Sequence, residues 1–337
     1  MRNMNRVLLS ALAMLCLTGG GNVWAKDKGV SATALSSTLV PAVANPRRIA
    51  GGPDGQILVT DRRYGAVIAV DKQSLQPVWS ATLPDGGPFG IAFTRKGIFV
   101  GNTATKNVEV YSLNGSGGPD TLLEFDRNLG DVPAGTIGTI ENAIAVAADD
   151  KAKQIFVLDG AAKRISVFDR KGSLLRSFEP RGSDNLLLSP VSLAIDELRR
   201  EILVADYGDP SAWLSNCSFC SANEPARIMI FSYEGDFLYE IRGDGTTHWL
   251  TSFARLQGLA ASGDGRIFAA DPLGARILVF DRFTGAILDE LGVKGTNPGQ
   301  LMAPSDLWLD IETGDLFISN NLGARRVEVL RGVGGQP

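Results

Sequence analysis

Six times along the chain a run of β-formers ends in Asp or Asn: ILVTD at Asp61, IFVGN at Asn102, IFVLD at Asp159, ILVAD at Asp206, IFAAD at Asp271 and LFISN at Asn320. Each copy is followed by a second apolar run: VIAVD from Val67, VEVYS from Val108, ISVFD from Ile165, IMIFS from Ile228, ILVFD from Ile277 and VEVLR from Val327. Short, continuously apolar runs suit strands covered on both faces. Strand-only repeats recurring every ~40–65 residues predict an all-β, six-bladed β-propeller. Each blade reads as four strands, A to D from the axis outward.

In the first blade A is Arg47–Gly51, B is Gln56–Thr60, C is Val67–Val70 and D is Pro77–Leu83. Pro53-Asp54-Gly55 turns A into B, with Gly accepting positive φ. Ser262-Gly263-Asp264-Gly265 repeats the device. The other inner strands start near Phe89, Asn142, Val191, Gln257 and Asp306. After Val327–Arg331 only Gly-Val-Gly-Gly-Gln-Pro remains, so the sixth blade lacks its outer strand. Ser36–Val43 is expected to supply it, zipping the ring shut and covering a strand edge. The propeller is thus placed at 36–331, after a short segment 26–35 and before a tail 332–337.

The first residues read differently. Arg2 and Arg6 precede an apolar stretch, Val7 to Leu17, and Val23-Trp24-Ala25 ends in a small residue. This predicts a signal peptide, residues 1–25, and a periplasmic or extracellular protein that is not membrane-spanning after cleavage. Losing Arg2 and Arg6 takes the formal charge from −4 to −6, which gives no electrostatic reason to bind nucleic acid.

Several phrases resemble the NHL-repeat family of six-bladed propellers over residues 40–331: the openings Pro46–Ala50, Pro88–Ala92 and Pro190–Ala194, the V-x-D strand ends, the "R-I-x-V-F-D" strands Arg164–Asp169 and Arg276–Asp281, and the loop Gly295–Leu301. The resemblance implies the fold. It leaves activity open, because the family includes scaffolds, binding modules and enzymes.

Three long irregular segments interrupt the repeats: Arg127–Ile140, Tyr207–Pro225 and Asp244–Arg255. In a propeller the B–C and D–A loops share one face, and these three fall there. They carry Tyr207, Trp213, Phe219, His248 and Trp249, aromatic groups suited to stacking on a ligand or to packing beneath the loops. Arg47 and Arg48 open the first inner strand near the pore mouth, where a guanidinium binds a carboxylate or phosphate, or pairs with Glu141.

Cys217-Ser218-Phe219-Cys220 has three readings. A local disulfide suits an oxidising compartment. A redox pair would want a helix N-terminus beneath the first thiol. A zinc site needs about four ligands, and His248 is the single histidine. Ser221 stands where covalent haem attachment requires His. Amidating and streptogramin lyases of similar fold depend on histidines that this chain lacks. Lactonases of the gluconolactonase and paraoxonase type hold calcium at the axis with Glu, Asn and Asp; the resemblance implies Glu141, Asn142 and Asp306 as ligands here. The expected function is a secreted binding propeller without a cofactor. It would take a protein, peptide or glycan on its loop-rich face. The alternative is a calcium-dependent lactonase-like hydrolase or lyase. The six strand-end Asp and Asn residues are expected to be structural acceptors.

Overall fold

A computed structural model of the chain describes residues 23–24, 31–34, 43–115, 122–130, 138–182, 186–208, 225–243, 253, 255–323 and 325–335. Signal peptidase cleavage, the segment 35–42, Trp213, Cys217, Phe219, Cys220, His248 and Trp249 lie outside the described residues.

All regular structure among the described residues is β. Two short strands come first, β1 (Val23–Trp24) and β2 (Ser31–Ala34). Blade 1 holds β3 (Pro46–Gly51), β4 (Gln56–Asp61), β5 (Ala66–Asp71) and β6 (Pro77–Thr82). Blade 2 holds β7 (Pro88–Thr94), β8 (Gly97–Asn102), β9 (Asn107–Asn114) and β10 (Leu122–Leu129). Blade 3 holds β11 (Ala143–Asp149), β12 (Gln154–Asp159), β13 (Arg164–Asp169) and β14 (Leu174–Phe178). Blade 4 holds β15 (Pro190–Asp196), β16 (Glu201–Asp206), β17 (Arg227–Ser232) and β18 (Phe237–Arg242). Blade 5 holds β19 (Leu259–Ala261), β20 (Arg266–Asp271), β21 (Arg276–Asp281) and β22 (Ile287–Leu291). Blade 6 holds β23 (Pro304–Asp310), β24 (Asp315–Asn320) and β25 (Arg326–Leu330), joined by β2 and β1. Blades 1 to 5 are antiparallel meanders in chain order, and blade 6 is antiparallel with its outer strands taken from the N-terminus.

Six apolar clusters fill the six gaps between neighbouring blades. Blades 1 and 2 meet through Leu58, Val67, Ile98 and Tyr111. Blades 2 and 3 meet through Phe99, Val110, Val157 and Phe168. Similar clusters join blades 3 and 4, 4 and 5, and 5 and 6. The last, Ile57, Ile68, Phe317 and Val329, joins blade 6 to blade 1 and closes the ring. This explains the second strands: β4 and β8 are buried at every position, because both of their faces meet another sheet. Each such Val, Leu, Ile or Phe contributes about 1.5–3 kcal/mol by leaving water.

The N-terminal strand does complete the sixth blade, but from an earlier stretch than Ser36–Val43. Ser31–Ala34 pairs antiparallel with β25, Ala32 facing Leu330 and Ala34 facing Glu328. Chain geometry accounts for the shift. The link must run from the outermost strand of one blade to the innermost of the next, three strand spacings or about 14 Å. A strand ending at Val43 would leave only Ala44 and Asn45 before β3, and two residues reach only about 7 Å.

Candidate functional site

The inner strands begin irregularly, and this aims side chains at the axis. The register with the second strand slips between Pro46 and Ile49, Pro88 and Ile91, Ala143 and Ala145, Pro190 and Ser192, and Pro304 and Asp306. Such bulges bend the strand and redirect its residues. In β3 the bulged residues are Arg47 and Arg48, on the face that carries the B–C and D–A loops.

Arg48 crosses the ring. It is buried, and its Nε donates to Ile144 O of blade 3 (3.2 Å). Its Nη1 donates to Ser192 Oγ of blade 4 (3.3 Å) and Asp306 Oδ1 of blade 6 (3.1 Å), and its Nη2 to Val191 O. The other carboxylate oxygen of Asp306 accepts from Ile49 N (3.0 Å). Burial pushes the Asp306 carboxyl up, while Arg48 and the Ile49 N–H act against that. One side chain therefore links four blades and shuts the pore at this end.

This arrangement does not suit a calcium ion. Asp306 is engaged by a guanidinium, which would stand beside the metal. Glu141 is exposed and Asn142 half-buried, and both use their backbone N–H to bond Asp159 (2.7 and 3.1 Å). Among the described residues no three His, Cys, Asp or Glu side chains are grouped to hold a metal. Nor does Glu141 form an ion pair with Arg47 or Arg48.

Around Arg48 the loop-bearing face gathers cations and aromatic rings. The guanidinium of Arg48 lies 5.3 Å from the Phe89 ring centre and that of Arg47 lies 6.0 Å from it. Arg47 is half-buried, and its Nε is buried without a hydrogen bond. Burial, then the charges of Arg62 and Arg48, pull its pKa below the ordinary arginine value. Tyr207, just past β16, bonds through its hydroxyl to Gln257, and the Arg255 guanidinium sits 4.8 Å from its ring centre. Burial raises the Tyr207 pKa, with the Gln257 bond and the charges of Arg255 and Arg48 opposing it. Arg47, Arg48 and Tyr207 thus share one mouth. Sequence reasoning missed Arg62, Arg255 and Gln257 as its companions; Arg255 lies at the end of a segment whose aromatics drew attention instead.

The six strand-end acids and amides are structural. Asp159 accepts from the N–H groups of Glu141, Asn142, Ala161 and Ala162 at 2.7–3.1 Å. Asp61 ties Ala44 and Asn45 to the Arg63–Tyr64 turn, and Asp206 ties Leu188 and Ser189 to Gly208. Asn320 takes the N–H groups of Met302 and Ala303 and donates to Gln300 O. Asp61, Asp159 and Asp206 each staple the incoming link to the next turn, while Asn320 holds the link alone and Asn102 and Asp271 hold the turn. The Arg that opens several third strands adds a clamp: Arg227 bonds Asp206, and Arg276 bonds Asp271 and Glu290.

Beyond Arg48 toward the opposite face lies an axial funnel of about 360 Å³. Ser192 and Asp306 share its floor with Arg48, and Gly52, Glu197 and Ile311 line its mouth at the A–B turns.

No protein-family model matches the chain, and no curated protein matches it. Solved structures do. Hydrazine synthase of Kuenenia stuttgartiensis superposes with a TM-score of 0.61 at 13% identity, over 89% of this chain and 99% of that one. A Bacteroides thetaiotaomicron protein of unknown function gives 0.61 at 16% identity, over 89% of this chain and 72% of that one. A chain of a nidogen–laminin complex gives 0.54 at 15% identity, over 77% and 83%. At these identities the likeness is one of fold, and with the six blades it defines the class: a six-bladed β-propeller. Among the described residues no helix is long and apolar enough to cross a membrane.

Proposed function

We propose that the protein is a secreted binding propeller that recognises an anionic group of a protein, peptide or glycan partner on the face carrying its B–C and D–A loops. The observation that carries this reading is Arg47: a half-buried guanidinium at the pore mouth, beside Arg48 and Arg62, whose buried Nε has no acceptor among the described residues. Desolvated arginine bonds carboxylates and phosphates strongly and in a fixed geometry. Phe89 and Tyr207 offer flat apolar surface beside the charge. That one superposable propeller was solved within a nidogen–laminin complex is in keeping with a binding role for such a ring.

The test is a panel of immobilised acidic peptides and uronic acid glycans, each against a neutral counterpart of the same length. The wild type should retain acidic members selectively. Arg47→Met should weaken that retention roughly ten- to 100-fold, the loss of one charge-assisted hydrogen bond. Trp213→Ala and Trp249→Ala should weaken it without unfolding the ring. Equal retention of neutral members, or an unchanged Arg47→Met, sinks the reading.

A further inference from the structure

The axial funnel on the other face is a separate feature, and its chemistry is opposite in sign. Its wall is mixed, with polar groups at the floor and mouth, and between them it is kept open by small residues where the inner strands face the axis: Gly51, Ala147, Ala194 and Ala261 are partly exposed there, beside Phe93 and Trp308. Trp308 lies against Gly51 so closely that a Cβ on that glycine would come 2.5 Å from the indole ring. Larger residues at these positions would fill the space. At the ~30 Å³ that a water occupies in the liquid, the funnel has room for about a dozen non-hydrogen atoms. That is small for a peptide chain and right for a metabolite-sized body.

One charged group lining this space lacks a partner among the described residues. Glu197, in the turn after β15, lines the mouth and is half-buried. Among the described residues its carboxylate accepts no hydrogen bond and forms no ion pair. The neighbouring acids are all provided for. Asp149 accepts from Tyr233 Oη (3.0 Å) and Ala152 N (2.7 Å). Asp150 pairs with Arg170 (2.6 Å), and Asp196 with Arg282 (2.6 Å) and Arg199 (3.1 Å). Lys151 is close enough to be felt, yet forms no ion pair with Glu197. Burial and the surrounding acids hold the Glu197 carboxyl above its ordinary pKa. A half-buried carboxylate in this state is stabilised by a cation entering the funnel. The rim offers further apolar contact, with Ile311 39% exposed at the mouth.

We propose that this funnel binds a small hydrophobic amine, its protonated nitrogen paired with Glu197 and its apolar body between Phe93, Trp308 and the small-residue wall. The site is independent of the arginine mouth: Arg48 closes the pore between them, and the two favour ligands of opposite charge.

The experiment is calorimetric titration of the full chain with phenethylamine and tryptamine, against phenylpropionate and indole-propionate as carboxylate analogues. The amines should bind and the carboxylates should not. Glu197→Gln, which removes charge without removing any hydrogen bond, should weaken amine binding roughly tenfold or more while leaving the melting temperature unchanged. Ala261→Phe, which fills the funnel, should abolish binding. No amine binding at millimolar concentration overturns the proposal. So does equal binding of both series, or an affinity unmoved by Glu197→Gln and Ala261→Phe together.

Discussion

Replacing Arg48 with Met tests the central link of the ring. The change deletes four donated hydrogen bonds, to Ile144 O, Val191 O, Ser192 Oγ and Asp306 Oδ1. It also leaves the Asp306 carboxylate buried with no cation, bonded by the backbone N–H groups of Ile49 and Leu307 alone. Breaking a buried ion pair from one side costs about 3–5 kcal/mol, because the remaining charge is uncompensated. For a ring of roughly 290 residues, at ~2.1 cal/mol/K per residue, the unfolding entropy is about 0.6 kcal/mol/K. A loss of that size lowers the melting temperature by about 5–8 °C. Arg48→Met with Asp306→Asn should recover at least half of the loss, since the amide keeps an acceptor for Ile49 and removes the stranded charge. The pH dependence has a definite sign. Without Arg48 the native Asp306 pKa rises further above its unfolded value, so the variant's deficit grows as pH rises above ~4. Thermal melts by circular dichroism at pH 5 and pH 8 read all of this. A single variant within ~1 °C of wild type at both pH values, or a double variant no better than the single, refutes the account of Arg48 as a charge-paired hub.

Asp159→Ala removes the acceptor of four backbone N–H groups and should cost roughly 2–4 kcal/mol, seen as a lower urea midpoint, with Asp159→Asn milder. Deleting residues 1–34 uncovers the β25 edge and should lower the melting temperature by several degrees and promote self-association, which light scattering would show. Burial pushes Glu328 up to about 7 against its Arg326 partner. Its stability contribution is therefore present below pH ~4.5 and fades as pH rises through about 7; Glu328→Gln should flatten that slope in pH-resolved melts. Cys217 and Cys220 should resist alkylation until reduced, and ready labelling of the native protein argues against a disulfide.

Blade number and strand identity were legible because each blade repeats the same local problem. Both faces of β4 or β16 meet a neighbouring sheet, so the run is apolar throughout and ends on a turn-stapling Asp. The structural role of Asp61, Asp159 and Asp206 followed from that regularity. The closing strand was placed too late because a count of strands calls for a spare segment without fixing where it lies, while the deciding constraint is the span of the link to β3. The axis was the least legible part. Arg48 meets Asp306 across 258 positions of sequence, and no local pattern encodes that meeting. The implied calcium ligands ignored it. Glu197 stands in Asp-Glu-Leu-Arg-Arg, an ordinary charged turn by sequence; only its placement on the funnel wall sets it apart.

The most direct measurement of the central claim is hydrogen–deuterium exchange with and without the acidic ligand that the panel selects. Protection at residues 45–48, 87–89, 207–208 and 255–257 is the predicted result, because these segments form the arginine mouth. Protection confined to the A–B turns at residues 52–55, 197–198 and 311–313, or no protection with ligand bound, would place recognition elsewhere and contradict the account.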